Sequence, residues 1–494
     1  MRTKDKSLKQ KFVTNLGLII LLNLLIKPLW IFGIDRVVQI NTGEAFGMYG
    51  TLLSVSFLLN ILLDLGITNY NNRNISQNHQ LLRKYFSNIV ILKFILAGVY
   101  GIVVFSVAVI LGYDGQMMYI LAFLVLNQFL TSFTLYLRSN IAGMQMHTVN
   151  SLISVLDRGL MIIFCAVLLW GGVTDRPFQI EWFVYAQTAA YLLTMLICFV
   201  IVLRKSRFPR FKFDRLFFMV VLRQSFPFAL LVLLMSAYTR IDQVMIEYLL
   251  RPEGKAQVYI YYHGYRLFDA AYQFAMLFAV LLFPMFSKMI AEKSSIRELT
   301  RLSSLLLFIP SIILAVGSMF YKEEIMMLME YDDITDSAAI FSLLMYAFLG
   351  MAATIIYGTL LTANGNLKFL NITSAIAVVI NISLNLIFIP KYQAFGAAIA
   401  AVFTQGFVGF SQYVFAARRF GFGLDPKLIF KLAVFIAGVI GLGLGSLQLS
   451  SIWWVSLLGM MSASMILALA LNLIDLRSMI KLITNGEEVS KEAK

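Results

Sequence analysis

The chain of 494 residues contains little charge: charged residues make up 13% of it, against about 25% in soluble globular domains. Its two cysteines, Cys165 and Cys198, both fall in apolar segments, which excludes a disulfide framework. Its three histidines, His79, His147 and His263, lack the spacing of metal ligands. No G-x-x-x-x-G-K-[ST] loop is present, so the chain does not hydrolyse ATP through that device. With no catalytic constellation either, the sequence predicts neither an enzyme nor a bound cofactor or metal.

Apolar residues dominate what is present. They make up 60% of the chain, and the mean hydropathy is +0.81. A membrane-spanning helix needs about 20 mainly apolar residues. Fourteen such segments, called spans one to fourteen, cover residues 12–34, 44–69, 85–111, 117–137, 150–172, 181–203, 224–249, 260–287, 302–320, 337–362, 369–389, 394–417, 432–447 and 452–474. The sequence therefore predicts an all-α integral membrane protein with about fourteen transmembrane helices.

Basic residues are distributed unevenly over the connections between these spans. If the N-terminus is cytoplasmic, the cytoplasmic segments hold 29 Lys and Arg, the external loops hold 6 and the spans hold 5, which accounts for all 40. Lys and Arg collect on the cytoplasmic side of membrane proteins, so both termini are expected in the cytoplasm. The same rule explains the net charge of +14 without a nucleic-acid partner.

The two halves of the chain resemble each other locally. Span one ends in the residues WIFGID at 30–35, and span seven contains the residues YTRID at 238–242. Six spans per half is an even number, so the halves share one orientation, and parallel repeats of this kind place a substrate site between the halves. We expect an N-lobe of six spans, a basic cytoplasmic linker, a C-lobe of six spans, and a last segment with two spans and a cytoplasmic tail. Their bounds are 1–203, 204–223, 224–417 and 418–494.

Five basic residues lie inside the predicted spans, where a charge costs about 2.5–3.5 kcal/mol on insertion scales. They are Lys27, Lys93, Arg158, Arg240 and Arg266. Such residues usually face a cavity, a partner or a substrate, so this set predicts a cationic cavity that binds an anionic cargo. Lys27 and Arg240, in corresponding spans of the two halves, are the strongest candidates to contact it.

The other three cations leave alternatives open. Arg266 lies three residues before Asp269, so the two side chains can pair on one helix face. Lys93 and Arg158 are close to the cytoplasmic face, and long basic side chains can extend from there to the lipid headgroups.

Among the acidic residues that fall within the spans, Asp64, Asp242 and Asp269 are the candidates for a role in transport. Arg240 and Asp242 are two residues apart and point in different directions on a helix, so each needs a partner elsewhere. A contact between Lys27 and Asp242 would form a gate between the halves. The three carboxylates are therefore predicted either to act in gating and in coupling to a proton or cation, or to neutralise a fixed arginine.

Four groups of residues, in this order along the chain, carry a resemblance to a known family. The first is Gly47 to Tyr49 with Leu63 to Ile67 and Arg73 to Ser76, and the second is Ser225 to Pro227 with Ile241 to Met245; the third is Tyr265 to Leu267 with Leu282 to Lys288, and the fourth is Ala363 to Lys368 with Asn381 to Pro390 and Gly396 to Ala400. In these groups the chain resembles the Wzx-type polysaccharide flippases of the multidrug/oligosaccharidyl-lipid/polysaccharide exporter superfamily.

That resemblance implies a flippase in the bacterial cytoplasmic (inner) membrane. Its cargo would be an undecaprenyl-pyrophosphate-linked oligosaccharide, such as the O-antigen unit of lipopolysaccharide or a capsule unit. The resemblance also implies two six-helix lobes, alternating access, coupling to an ion gradient, and a polysaccharide polymerase and other assembly proteins as partners.

Two other functions compete with this one. A drug–cation antiporter of the same superfamily usually has twelve spans and a cavity dominated by carboxylates. A membrane polymerase or ligase tends to carry a large external loop, and the longest predicted external loop here has about sixteen residues.

Overall fold

The computed structural model describes residues 2–42, 44–172, 178–206, 215–327, 334–422, 425–448 and 452–474, and some helical residues among them by their backbone alone. These ranges contain helices and their connections and no β-strand. The α-helices are α1 Arg2–Pro28, α2 Arg36–Thr42, α3 Glu44–Leu58, α4 Ile67–Gln77, α5 Leu81–Ile110, α6 Gly115–Gly143, α7 His147–Trp170, α8 Ile180–Ser206, α9 Arg215–Leu249, α10 Gly254–Ala291, α11 Arg297–Met327, α12 Ile334–Ala353, α13 Thr359–Asn364, α14 Leu367–Phe420, α15 Pro426–Ser446 and α16 Trp453–Ala470. Two π-helical segments, Leu29–Asp35 and Thr354–Gly358, and the 3₁₀ helix Asn60–Leu63 extend this series.

Eleven of the described helical stretches are long and apolar enough to cross a membrane. One of them, α14, has 54 residues and contains Gln393 in a non-helical conformation, with φ 54° and ψ −136°. The predicted spans eleven and twelve lie on either side of that residue. Span one corresponds to α1 with the π-helical segment that follows it, and span two to α3 with the 3₁₀ helix and the start of α4. The predicted all-α membrane architecture is confirmed, with about fourteen spans.

The chain divides into two compact units. The first unit is Thr14–Leu230, and the second consists of Met1–Val13 together with Leu231–Lys494. The predicted lobe and linker boundaries stay predictions, and residues 207–214 of the linker lie outside the described residues.

The first unit is built around α6 and α8, which pack along each other and against α4, α3 and α7. Its core contains aromatic and aliphatic side chains from these helices and from α5, including Tyr100, Leu124 and Phe183. Burying such side chains contributes about 1.5–3 kcal/mol each in water. Within lipid, helix association is stabilised instead by close packing and by hydrogen bonds between helices.

The second unit has α12 and α14 at its centre, with α10 and α11 packed on α12. Glycines allow the close approach of α12 and α14: a Cβ on Gly350 would lie 2.4 Å from the Gln405 carbonyl oxygen, and a Cβ on Gly409 would lie 2.4 Å from the Gly350 carbonyl oxygen. Small residues at helix contacts are typical of membrane proteins.

The last two helices, α15 and α16, pack on α11 through an apolar cluster that includes Ile309, Phe435 and Met460. The Tyr321 and Ser446 hydroxyls join α11 to α15 at 2.6 Å. These helices therefore belong to the second unit.

Candidate functional site

Span two is interrupted inside the first unit. The helix stops after Leu63, and the backbone passes through Leu65 at φ 45° and Gly66 at φ 78° before α4 begins. Glycine is required at the second of these positions, because a Cβ on Gly66 would lie 2.4 Å from the Ser225 carbonyl oxygen and 2.6 Å from the Ala229 nitrogen of α9. Non-helical backbone at membrane depth is tolerated where protein or a cavity surrounds it.

Asp64 and Lys93 stabilise this interruption. The Asp64 carboxylate accepts hydrogen bonds from the Thr68 backbone N–H at 3.2 Å and from the Thr68 hydroxyl, which closes the start of α4. The ammonium group of Lys93, on α5, donates to Asp64 Oδ1 at 2.5 Å and to the Leu63 carbonyl oxygen at 2.9 Å. It also donates to the Ser132 hydroxyl at 3.3 Å. Lys93 therefore donates hydrogen bonds to polar groups that the interrupted helix leaves without partners.

Lys93 is 1% exposed and Asp64 is 30% exposed. The proposed extension of Lys93 to the lipid headgroups is therefore wrong. Its ammonium group lies inside the helix bundle, held by fixed oxygens of span two and α6. The predicted contact of Lys93 with cargo would require this ion pair to open.

Arg158, on α7, is half-buried. Its guanidinium lies over the Trp30 ring, 5.3 Å from the ring centroid. Trp30 belongs to the π-helical segment Leu29–Asp35 and stacks on Phe183, with 6.0 Å between the ring centroids. A cation–π contact contributes about 0.5–1 kcal/mol when exposed and about 2 kcal/mol when desolvated. Arg158 is thus held by an aromatic ring, and one of its terminal nitrogens also donates to Met161 Sδ at 4.0 Å.

Asp242, on α9, is 2% exposed and lies in a cage of neutral donors in the second unit. The Tyr261 hydroxyl donates to its Oδ2 at 3.0 Å. The side-chain amides of Asn381 and Asn385, one turn apart on α14, donate to its Oδ1 at 3.0 and 2.7 Å. Asp242 forms no ion pair with any residue that the structure describes, and the Asn385 side-chain oxygen has no hydrogen-bond partner there.

Arg240 lies two residues before Asp242, and its side chain is 63% exposed. One of its terminal nitrogens is 3.6 Å from Asp269 Oδ1 on α10, and the other Asp269 oxygen accepts a hydrogen bond from the Gln273 amide at 3.0 Å. An exposed pair at this separation contributes little, about 0–1 kcal/mol.

Arg266 is exposed and forms no ion pair within the described part of the chain. The suggested pairing of Arg266 with Asp269 is therefore wrong. Asp269 pairs with Arg240 instead. The contact between α9 and α10 brings Arg240 close to Asp269, whereas the i,i+3 spacing on α10 does not bring Arg266 within ion-pair distance of it. Arg240 and Arg266 both keep exposed guanidinium groups.

The side chain of Lys27, on α1, lies outside what the structure describes. Its predicted roles, in the cationic cavity and in a gate with Asp242, stay predictions.

Three functional features were not expected from the sequence. Trp30 orients Arg158, Asn385 binds Asp242, and Arg138 lies in a pocket of the first unit. Asn385 is separated from Asp242 by more than a hundred residues, so only the fold brings them together. Arg138 follows the predicted span four, 117–137, by one residue, but α6 continues to Gly143 and so includes it.

Solved structures with a similar fold are membrane transporters. A crystal structure of a MATE mutant aligns with a TM-score of 0.66 at 15% identity, over 83% of this chain and 96% of that chain. The Vibrio cholerae MATE transporter VcmN in its bent form aligns with a TM-score of 0.64 at 13% identity, over 85% and 98%. A MOP superfamily transporter from Pyrococcus furiosus aligns with a TM-score of 0.65 at 14% identity, over 83% and 96%. The fold is that of the MATE-type transporters.

A family model described as polysaccharide biosynthesis protein matches residues 12–290 of the 494, more than half of the chain. The chain belongs to this polysaccharide biosynthesis protein family. No curated protein sequence matches it. The predicted relationship to polysaccharide exporters is confirmed, and family and fold together indicate a multi-pass membrane transport protein rather than an enzyme.

Proposed function

We propose that the protein is a flippase for oligosaccharide units linked to undecaprenyl pyrophosphate, in the bacterial cytoplasmic membrane, for the assembly of a surface polysaccharide. Membership of the polysaccharide biosynthesis family, together with a transporter fold, supports this function. The pyrophosphate headgroup is dianionic and must cross about 30 Å of hydrocarbon. Transport therefore requires fixed cations inside the membrane that replace the water around the phosphate oxygens.

The observation that carries the proposal is the exposure of Arg240 and Arg266 within predicted spans of the second unit. Lipid-facing guanidinium groups are costly at membrane depth. Among the described residues, Arg240 has one ion-pair partner, Asp269 at 3.6 Å, and Arg266 has none. Guanidinium groups bind phosphate oxygens bidentately. We assign the pyrophosphate to Arg240 and Arg266, with Lys27 and Arg158 as further cationic contacts.

The transport step follows from this assignment. The pyrophosphate binds the arginines from the cytoplasmic side, the sugars lie in the polar interior, and the polyprenyl chain stays in lipid. Closing the cytoplasmic access and opening the external one exposes the headgroup to the other side. Water then competes for the phosphate oxygens and the cargo leaves.

Asp242 is our proposed coupling residue. Its carboxylate accepts three hydrogen bonds, all from neutral side chains, and no positively charged residue that the structure describes pairs with it. A buried carboxylate without a cation is expensive, so it favours uptake of a proton or a metal cation. Binding of that cation from an ion gradient would bias the second unit toward one access state.

Replacing Arg240 or Arg266 with Ala tests the function directly. Each variant should reduce surface polysaccharide about tenfold or more, because a hydrogen bond to a charged group contributes about 1.5–3 kcal/mol. Polysaccharide on gels and lipid-linked units retained in the cells measure the effect, with membrane protein levels checked in parallel.

Arg297→Ala is the matched control. Arg297 is an exposed arginine at the start of α11, outside the predicted spans, and its replacement should leave export normal. Normal export in both the Arg240 and the Arg266 variants, at normal protein levels, contradicts the assignment of the pyrophosphate.

A drug–cation antiporter is the second candidate, because the fold is shared with MATE transporters and Asp242 is a buried carboxylate. Proteoliposomes separate the two functions. Uptake of a cationic dye that depends on Asp242, with no translocation of lipid-linked oligosaccharide, favours the antiporter.

A further inference from the structure

A pocket in the first unit lies between α6, α7 and α8. Six polar side chains line it: Thr131, Thr134 and Arg138 of α6, Asp157 of α7, and Tyr191 and Thr194 of α8. Two apolar side chains, Leu135 and Ile153, complete the wall. None of these residues belongs to the set assigned to the pyrophosphate, although Asp157 is the neighbour of Arg158 in the sequence.

Thr194 is the first indication of a ligand. It is 2% exposed, and its hydroxyl has no hydrogen-bond partner among the residues that the structure describes. Buried hydroxyls nearly always have a partner, and an unpaired one destabilises the fold by the cost of its desolvation. An unpaired hydroxyl at the wall of a pocket indicates that its hydrogen-bond partner is a ligand that binds in the pocket.

Arg138 is the second indication. Its Nε donates to the Asn150 side-chain oxygen at 3.0 Å, which orients the guanidinium. No described residue takes a hydrogen bond from the two terminal nitrogens, and the side chain lines the pocket. An oriented guanidinium with two available N–H edges is a built donor site.

The charged residues that line the pocket indicate which class of ligand it can bind. Arg138 and Asp157 bring one positive and one negative charge to the same pocket, and the two attract each other. A phosphate or carboxylate would gain from Arg138 but would be repelled by Asp157. A neutral polyol suits both, because a hydroxyl accepts from Arg138 and donates to Asp157. The threonine hydroxyls can play either part, and the Tyr191 ring offers an apolar face for C–H groups.

We propose that this pocket binds a neutral sugar residue of the cargo and selects the cargo by its hydroxyl pattern. The inference rests on the proposed flippase function, since it names the part of the cargo that the first unit contacts. A pocket with buried polar groups rejects an analogue that lacks the matching hydroxyl, because the protein group is then left unpaired. Thr194 is the group that would enforce this selection.

Ligand binding to the full-length protein in nanodiscs tests the proposal without any transport assay. Saturation-transfer NMR is used with three neutral methyl hexosides, of glucose, galactose and mannose, and in separate arms with methyl glucuronide and inorganic pyrophosphate. Thr194→Val keeps the shape and removes the hydroxyl. Thr188→Val, in the same helix, is the control, because the Thr188 hydroxyl already donates to the Val184 carbonyl oxygen at 2.8 Å and does not line the pocket.

At least one neutral hexoside should bind wild-type protein and the Thr188 variant alike, and bind the Thr194 variant about threefold to tenfold more weakly. Arg138→Gln should weaken the same hexoside further, and pyrophosphate binding should not change in the Thr194 variant.

Any of three results would overturn the sugar site. The first is the absence of hexoside binding to wild-type protein, and the second is equal binding by the two threonine variants. The third is binding of glucuronide or pyrophosphate alone that disappears in Arg138→Gln, which makes the pocket an oxyanion site. Failure of the flippase function looks different: the hexoside binds as expected, but lipid-linked oligosaccharide is not translocated in proteoliposomes.

Discussion

Lys93 is almost completely buried and contacts three oxygen atoms, whereas Arg240 keeps 63% of its side chain exposed and has one loose partner. Both residues are basic and both lie within predicted spans. Their surroundings separate a charge that stabilises the fold from one that remains available to a ligand. Depth in the membrane alone does not make this distinction.

Lys93→Met should destabilise the protein by about 3 kcal/mol, because removing one partner of a buried ion pair leaves the other charge uncompensated. The Leu63 carbonyl and Asp64 would lose their donor together. Thermal unfolding of the protein in detergent measures the loss. The double variant with Asp64→Asn should recover part of it, because no unpaired charge then remains. A Lys93→Met protein of normal stability that no longer supports export would instead indicate contact with cargo.

Asp242→Asn should keep the fold, because the replacement has the same shape and the Tyr261 hydroxyl can accept as well as donate. It removes the only charge in the cage, so export should fall at least tenfold and lose its dependence on the ion gradient. Export measured with and without an ionophore checks this expectation. Asp336→Asn, a change near the start of α12, is a control that should retain normal dependence. Gradient-dependent export by Asp242→Asn would exclude the coupling role.

At the scale of elements, the interruption of span two depends on one close approach. Gly66 has φ 78° and touches the backbone of α9 at Ser225 and Ala229. Its replacement therefore affects both the turn and the packing of α4 against α9. Because Lys93 and Asp64 are fixed by this turn, the ion pair is a consequence of the backbone geometry.

Gly66→Ala should destabilise the protein by at least 1–2 kcal/mol, since an alanine with positive φ is strained and its Cβ would overlap the α9 backbone. Gly98→Ala is the matched control, because no atom lies within 4 Å of a Cβ at Gly98 and the residue is inside α5. Alanine in a helix interior is about 1 kcal/mol more favourable than glycine. Unfolding midpoints should therefore shift in opposite directions, and equal midpoints would show that the turn adapts.

The whole molecule is arranged as a multi-pass transporter whose predicted topology depends on an even number of spans. Fourteen spans with 29 basic residues on one side and 6 on the other predict that both termini are cytoplasmic. A topology reporter fused to the C-terminus should then report a cytoplasmic location.

Alkaline phosphatase fused after Lys494 should be inactive, and green fluorescent protein fused there should fluoresce. The same phosphatase inserted after Glu323, in the predicted external loop between spans nine and ten, should be active and serves as the control. An active C-terminal phosphatase would mean an odd number of spans.

Much of the architecture could be predicted from local sequence. A run of about 20 apolar residues is itself the signal for a transmembrane helix, since the backbone must satisfy its hydrogen bonds within the segment. Each of the fourteen predicted spans contains helix in the structure, although span two is interrupted. Interruptions are harder to predict: Gly66 has a positive φ, and the backbone that leaves no room for a Cβ there belongs to α9, more than 150 residues away in the sequence.

The sequence by itself determined that this protein is an all-helical membrane protein with basic residues inside its spans, because hydropathy and charge are properties of each residue. The tertiary structure alone decided which charges are paired. Lys93 meets Asp64, Arg240 meets Asp269 in place of Arg266, and Asp242 meets amides of α14. Electrostatic pairing depends on distances between helices, and those distances are set by packing across the whole unit.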